Sequence, residues 1–465
     1  MRKLTLAPAL PSVSAKPSEG ALVLLVALTT TLAPLNSTMI AVALPGIAGE
    51  FGVGVSQSSW LVVSYLIAMA VVQPIAGALG DSHGRRRIIL LALVGFLAAS
   101  LGCLVAPTFP TLVVFRLCQG VAGAFAIPNG AALVRESLPE ARRGATYGLI
   151  GAAAGLAAGL GPPIGGLVIS MGGWRSIFAL NVPIAVAALA LGVLILPASV
   201  RRAESGRLDV LGVALLAGWL GCFALFASSI RGGMGVSPAW LATATVLLFA
   251  AFVVWESRAE RPVVRLDLFR LPTFAAASTA VSLSNLAMYS TLLLLPQYLE
   301  LVDRRPSAEV GLILAALSVP MAALSLFGGR LADRHGRRQV AVAGSALVLA
   351  ALTPLLWLGP DWPAYALMVP LALVGCGLGL QAPAVQAAAI EAAPLKRAGV
   401  ASGVFSTSRY LGSIVGSAAL GALLGGVGGL AGPGLNTAFV MVEVAALGAL
   451  LAATRLGKGR GVAAG

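Results

Sequence analysis

The chain has 465 residues, 58% hydrophobic and only 10% charged, with a formal net charge of +14. Soluble domains carry about 25% charged residues, so a soluble multidomain protein is excluded and most of the chain is expected in lipid. Lys and Arg fall in short clusters between apolar runs with few aromatics beside them. That is a topology signal and not a basic binding face, so no nucleic-acid partner is expected.

Residues 1–20, "MRKLTLAPALPSVSAKPSEG", are positive but lack a continuous apolar core and a cleavage site. They predict a short cytoplasmic tail, not a cleaved signal peptide. Stretches of the ~20 mostly apolar residues that a bilayer requires then begin near residues 21, 57, 86, 110, 142, 176, 208, 238, 272, 307, 338, 362, 399 and 434. This predicts fourteen transmembrane helices; the eighth, "WLATATVLLFAAFVVW", is short and recruits its flanks. With both termini inside, the cytoplasmic segments collect the basic tail, residues 85–87, Arg135, Arg142, Arg143, Arg201, Arg202, Arg207, residues 258–270, residues 330–338, Lys396, Arg397 and the basic C-terminal end. Arg175, Arg231, Arg304 and Arg305 fall outside, and Arg116 and Arg409 lie within spans, an asymmetry that selects this orientation.

One charged phrase is written twice. "GALGDSHGRRRIIL" starts at Gly77, and "GGRLADRHGRRQVAV" starts at Gly328. Gly77 and Gly329, Asp81 and Asp333, Gly84 and Gly336, and Arg85 and Arg337 share an offset of 252. A second pair, "PNGAALVRESLPEARRGATYG" from Pro128 and "PAVQAAAIEAAPLKRAGVASG" from Pro383, keeps an offset of 255. Two stretches in one order indicate a duplicated half with one loop-length change. Both copies must face the cytoplasm, so an even number of helices separates them. The division expected is a tail (1–20), a six-helix bundle (21–200), a linker with two extra helices (201–270), a second six-helix bundle (271–456) and a tail (457–465).

Chemistry-bearing residues are few. Cys103, Cys118, Cys222 and Cys376 lie in apolar runs at irregular spacings, and His83 and His335 lie in the charged turns, so no metal site, disulfide framework or mid-membrane histidine relay is expected. No phosphate-binding loop and no nucleophile–base pair occurs, which excludes ATP hydrolysis by this chain and predicts a non-enzyme without cofactors. Arg116 is an ionisable group inside a span, expensive there and therefore a functional candidate, pointing either into a cavity or onto a polar partner such as Gln119. Arg409 lies nearer the cytoplasm and can snorkel. Glu443, in "TAFVMVEVAALGALL", is the one acid placed deep in a span.

With these residues in order, the chain resembles the major facilitator superfamily, and more narrowly its fourteen-spanner branch of drug:proton antiporters. "RLCQGVAGAF" (Arg116, Gln119, Gly120) is similar to the family's helix 4 motif, and "GLAAGLGPPIGG" (Gly155, Gly159, Gly161, Pro162, Gly165, Gly166) to the antiporter motif of helix 5. "WRSIFALNVPI" and "LNSTMIAVALPGI" match helices 6 and 1 of this branch. The resemblance implies an all-α membrane protein of the major facilitator fold, with two parallel six-helix bundles plus two inserted helices. It further implies a monomer in the bacterial cytoplasmic membrane that exports amphipathic small molecules (drugs, antibiotics or related metabolites) in exchange for protons. Gly77, Asp81, Gly84 and Arg85, with Asp333 and Arg337 of the second copy, would then form a cytoplasmic latch; their other reading is a topology anchor.

One departure matters. The branch carries Leu-Asp-x-Thr on helix 1 where this chain reads Leu35, Asn36, Ser37 and Thr38. An amide does not exchange a proton near neutral pH, so coupling through Asn36 and Arg116 needs another acid, and Glu443 is the candidate. The substrate cavity is expected between the halves near mid-membrane, from Asn36, Tyr65, Gln73, Gln119, Asn285, Tyr289, Gln297, Gln381 and Tyr410. Two buried Arg against one buried Glu disfavour dications and favour neutral or weakly anionic amphiphiles. A uniporter, a lipid flippase and a non-transporting sensor or partner protein stay open as alternatives.

Overall fold

The computed structural model describes residues 18–196, 209–232, 237–260, 262–358, 362–394, 398–424 and 433–457. Among these the secondary structure is helical. The first half comprises α1 (Glu19–Phe51), the short α2 (Val55–Ser58), α3 (Trp60–His83), α4 (Arg85–Leu104), α5 (Phe109–Ala124), α6 (Ala126–Ser137), α7 (Glu140–Gly172) and α8 (Ser176–Ile195). Two helices follow, α9 (Val210–Gly232) and α10 (Pro238–Arg258). The second half is α11 (Pro272–Leu301), α12 (Ser307–His335), α13 (Arg337–Leu352), α14 (Met368–Ala392), α15 (Ala398–Leu424) and α16 (Pro433–Thr454).

Local chemistry explains the boundaries. Gly84 and Gly336, 252 positions apart, hold φ of 91° and 92°, a conformation an L side chain rarely adopts, and so turn α3 into α4 and α12 into α13 at equivalent points. The fourth expected helix is broken at Phe125 into α5 and α6. Pro128 has no N–H to return to the Ala124 carbonyl, and beside it Asn129 Nδ2 donates to the Phe125 and Ala76 carbonyls at 3.0 Å each, tying α6 to α3.

The two halves use the same packing scheme. In the first, α1 packs on α7 and α8, α3 on α5, and α4 on α5 and α8; in the second, α11 packs on α15 and α16, α12 on α14, and α13 on α14 and α16. A Cβ added at Gly77 would lie 3.7 Å from Pro128, and one at Gly329 would lie 4.0 Å from Pro383, so even a motif contact is repeated. The inserted pair docks through α9 on α3 and α15, while the span of α10 is only 6% buried and presents Trp240, Val246 and Leu247 outward, as a lipid-facing helix should.

Among the described residues, twelve helices are long and apolar enough to cross a membrane, against the fourteen expected. Of α7 only the apolar run Leu156–Gly172 is continuous among the side chains described, and α15 carries Ser, Thr and Arg in its first half. Both lie at the seam between the halves, where α7 meets α12 and α15 meets α3.

The glycines of "GLGPPIGG" serve two faces of α7. A Cβ at Gly161 would collide with Thr38, and one at Gly165 would lie 3.3 Å from Met39, so this face presses on α1. A Cβ at Gly159 would lie 2.6 Å from the Ser318 oxygen, and one at Gly166 would lie 2.9 Å from Gly311 Cα, so the other face presses on α12 of the opposite half. These contacts seal the halves at the end remote from the charged turns. Gly155 and the Asp81 side chain lie outside the described residues. Gly311→Val should push α12 off α7 and leave insertion intact. In a background without the native cysteines, a maleimide added from the remote side should then label a cysteine at the buried position 318 faster; unchanged labelling would contradict the seal.

Candidate functional site

The first half is organised around a buried cation. Arg116, Gln119, Asn36, Asn181 and Ser100 are fully buried. Arg116 Nη1 and Asn36 Nδ2 both donate to Gln119 Oε1 at 2.7 Å, and Gln119 Nε2 donates to Ser100 Oγ at 2.8 Å. Because guanidinium only donates, this geometry sets the orientation of the Gln119 amide. Asn181 Nδ2 donates to Asn36 Oδ1 at 3.0 Å, and Arg116 Nε to the Leu61 carbonyl at 3.1 Å. The Tyr65 ring lies 4.4 Å from the guanidinium carbon, and the Tyr65 hydroxyl donates to the Ala33 carbonyl at 3.2 Å. Gly120 lets α5 reach this position, since a Cβ there would sit 2.7 Å from the Tyr65 carbonyl. Five helices, α1, α3, α4, α5 and α8, therefore converge on one charge.

The second half carries a reduced copy. Gln381 Nε2 donates to Ser284 Oγ at 3.0 Å, and Ser345 Oγ donates to Gln381 Oε1 at 2.5 Å. Ser284, Gln381 and Ser345 occupy α11, α14 and α13, the counterparts of α1, α5 and α4 that hold Asn36, Gln119 and Ser100. The copy has no arginine. Tyr289 Oη donates to Ser37 Oγ at 3.3 Å and so joins α11 to α1 across the seam.

Beside this junction lies a cavity of about 200 Å³ between α7 and α11, α12, α14 and α15. Of the residues anticipated for it, Asn285 and Gln381 line it, and Arg409 lines it as well. Asn36, Tyr65 and Gln119 sit in the polar cluster of the first half instead, held by their own hydrogen bonds. Gln297 turns back on its own helix, donating to the Leu293 carbonyl at 2.9 Å, and Gln73 is buried with no amide partner among the described residues. Neither lines the cavity, and Tyr410 stays beside Arg409 at its margin. Glu443 does not share the cavity with Arg116: it accepts from Thr353 Oγ1 at 2.7 Å, where α16 packs against the end of α13. Hydropathy placed it at the right depth, but not on a side of the helix.

The charged turns clamp each half to itself. Arg85 reaches Glu136 at 3.1 Å, and Arg337 reaches Glu391 at 2.8 Å and also pairs with Asp333. Arg86 caps the C-terminal end of α8 by donating to the Val193 carbonyl at 3.1 Å. These contacts of the two arginine runs are made within a half. The sequence reading passed over Asn181, Ser100, Ser284, Ser345 and the two glutamates. Glu136 and Glu391 keep the offset of 255, so the repeat carried that signal. Among the described residues no cluster of His, Cys, Asp or Glu is arranged to hold a metal, and all four cysteines are free.

These hubs differ in what depends on them. Gln119→Leu strips partners from Arg116, Asn36 and Ser100, whereas Gln381→Leu strips only Ser284 and Ser345. With about 1–3 kcal/mol lost per buried group left unpaired and more for a charged one, Gln119→Leu should lower thermal stability in detergent clearly more than Gln381→Leu. Equal shifts would mean the charge is satisfied another way.

Comparison with known proteins fits this geometry. Residues 26–417 and 278–461 match the Major Facilitator Superfamily. The chain is 35% identical over 411 residues to the uncharacterized MFS-type transporter YvkA of Bacillus subtilis (strain 168), covering 88% of this chain and 91% of that protein. It is 33% identical over 398 residues to the multidrug resistance protein Stp of Mycobacterium tuberculosis (strain ATCC 25618 / H37Rv), covering 84% and 73%. The crystal structure of a D-xylose-proton symporter superposes with a TM-score of 0.68 at 15% identity, covering 95% of this chain and 99% of the symporter, a likeness of fold. With twelve membrane-length helices among the described residues, two halves of one packing scheme and a cavity where α7 meets the second half, this chain belongs to the Major Facilitator Superfamily and is a multi-pass membrane transport protein, not an enzyme.

Proposed function

We propose that the protein exports amphipathic small molecules across the bacterial cytoplasmic membrane by alternating access, as a monomer with both termini in the cytoplasm. The observation that carries this reading is the cavity at the seam, lined by Met288, Met321 and Phe405 together with Asn285, Gln386 and Arg409. Such a lining accepts an apolar body and a few polar groups. Relatives such as Stp, named for multidrug resistance, support export as the direction.

The same reading has fourteen spans, α7 and α15 crossing with the twelve. Reporter fusions at Arg207, Gly232 and Arg261 should read inside, outside and inside; Gly232 reading inside would contradict it. Residues 77–87 act in this reading as a latch at the cytoplasmic seam, so Asp81→Asn should slow turnover without loss of insertion and Asp333→Asn should do so less.

Proton exchange rests on the resemblance to drug:proton antiporters, and one observation favours uniport instead. Asn36 stands at the position of the helix 1 acid and is fully engaged by Gln119 and Asn181, while Glu443 lies away from the cavity. Inverted vesicles with an imposed proton gradient decide between the two. Exchange requires uphill transport that Glu443→Gln abolishes while sparing downhill flow. Uniport requires no response to the proton gradient in the unmutated protein.

A further inference from the structure

We propose that Arg409 makes the cavity selective for monoanionic amphiphiles, and that the membrane potential acting on their charge drives export without a proton. This deepens the export reading and rests on it.

The argument starts from charge balance. Arg409 lines the cavity, half-buried, and pairs with no carboxylate among the described residues. None of the lining residues is Asp or Glu. A second cation lies in the same region: Arg116 and Arg409 both act electrostatically on Tyr289. Tyr65, whose ring lies 4.4 Å from the Arg116 guanidinium carbon, feels that arginine as well. Arginine does not deprotonate in proteins, so the centre of the molecule stays positive at every physiological pH.

An uncompensated guanidinium in a partly desolvated site repels cationic amphiphiles and binds an anion as its missing partner. Gln386 and Asn285 add amide donors for the anionic head, and Met288, Met321 and Phe405 face the apolar remainder. Met side chains adapt to varied shapes, which suits a class of substrates more than one compound.

The same balance supplies the driving force. Loaded with a monoanion the cavity is locally neutral, and after release it returns carrying the Arg409 charge. One cycle therefore moves one net negative charge across the membrane, and no second ion is needed. One charge gains ~2.3 kcal/mol per 100 mV, which corresponds to about 50-fold accumulation on the positive side. Neither Asn36 nor Gln119, the amides at the heart of the first half, offers a proton to exchange.

The test uses the full-length protein in liposomes of phosphatidylethanolamine and phosphatidylglycerol, with dansylglycine as the anionic probe and dansylglycinamide as its neutral isostere. Fluorescence titration should show tighter binding of dansylglycine by about tenfold or more. Arg409→Gln should bring the ratio near unity, and Arg409→Lys, which keeps a charge in place, should retain a preference. A potassium diffusion potential without a pH gradient should drive dansylglycine accumulation toward about 50-fold per 100 mV. Equal affinities in the unmutated protein, or a ratio that survives in folded Arg409→Gln, overturn the anion selectivity. Accumulation that follows an imposed pH gradient and ignores the potential overturns the driving force. Failure to bind either probe overturns the amphiphile-export reading itself.

Discussion

Arg116 brings a positive charge into the interior of the first half, where no acid among the described residues pairs with it, and its Nη1, its Nε and its planar face are held by oxygens and a ring from its own helix and from α3. Gln119 on its own helix, the Leu61 carbonyl and the Tyr65 face on α3 supply the direct contacts. Gln119 in turn recruits Ser100 of α4 and Asn36 of α1, and Asn36 recruits Asn181 of α8. Leaving such a cation unpaired inside a bundle costs several kcal/mol. The five helices therefore hold one another in place through a shared electrostatic requirement.

The second half solves the same packing problem without the charge. Its Ser284, Gln381 and Ser345 tie the corresponding three helices by hydrogen bonds alone. At the turn end, Arg85 with Glu136 and Arg337 with Glu391 fasten the equivalent helices of each half. Contacts between the halves are of another kind: glycine-mediated approaches of α7 to α12 and the 3.3 Å hydrogen bond from Tyr289 to Ser37. Strong polar bonds within halves and small-residue contacts between them are what a rocking mechanism needs. Neighbouring surfaces that carry no hydrogen-bond network separate at low cost.

Much of this was legible in the sequence. The offset between Gly77 and Gly329 announced the duplication, and Arg116 and Gln119 sit three positions apart, which places both on one helix face. What stayed hidden is information about direction around a helix. Hydropathy put Glu443 and Gln297 at membrane depth but did not say that one faces Thr353 and the other its own backbone. Ser100, Ser284 and Ser345 are small and unremarkable in composition, and they matter only because a glutamine on another helix reaches them.

Alternating access between two rigid halves is the claim on which the account rests, and inter-half distances at both ends of the molecule test it most directly. Spin labels at His83 and His335 report the turn end, and labels at the exposed Val105 and Trp357 report the opposite end. The account predicts two populations at each end that shift in opposite senses when ligand is added, the turn-end pair closing as the remote pair opens. A single unchanging distance at both ends, or two pairs that widen together, would contradict it.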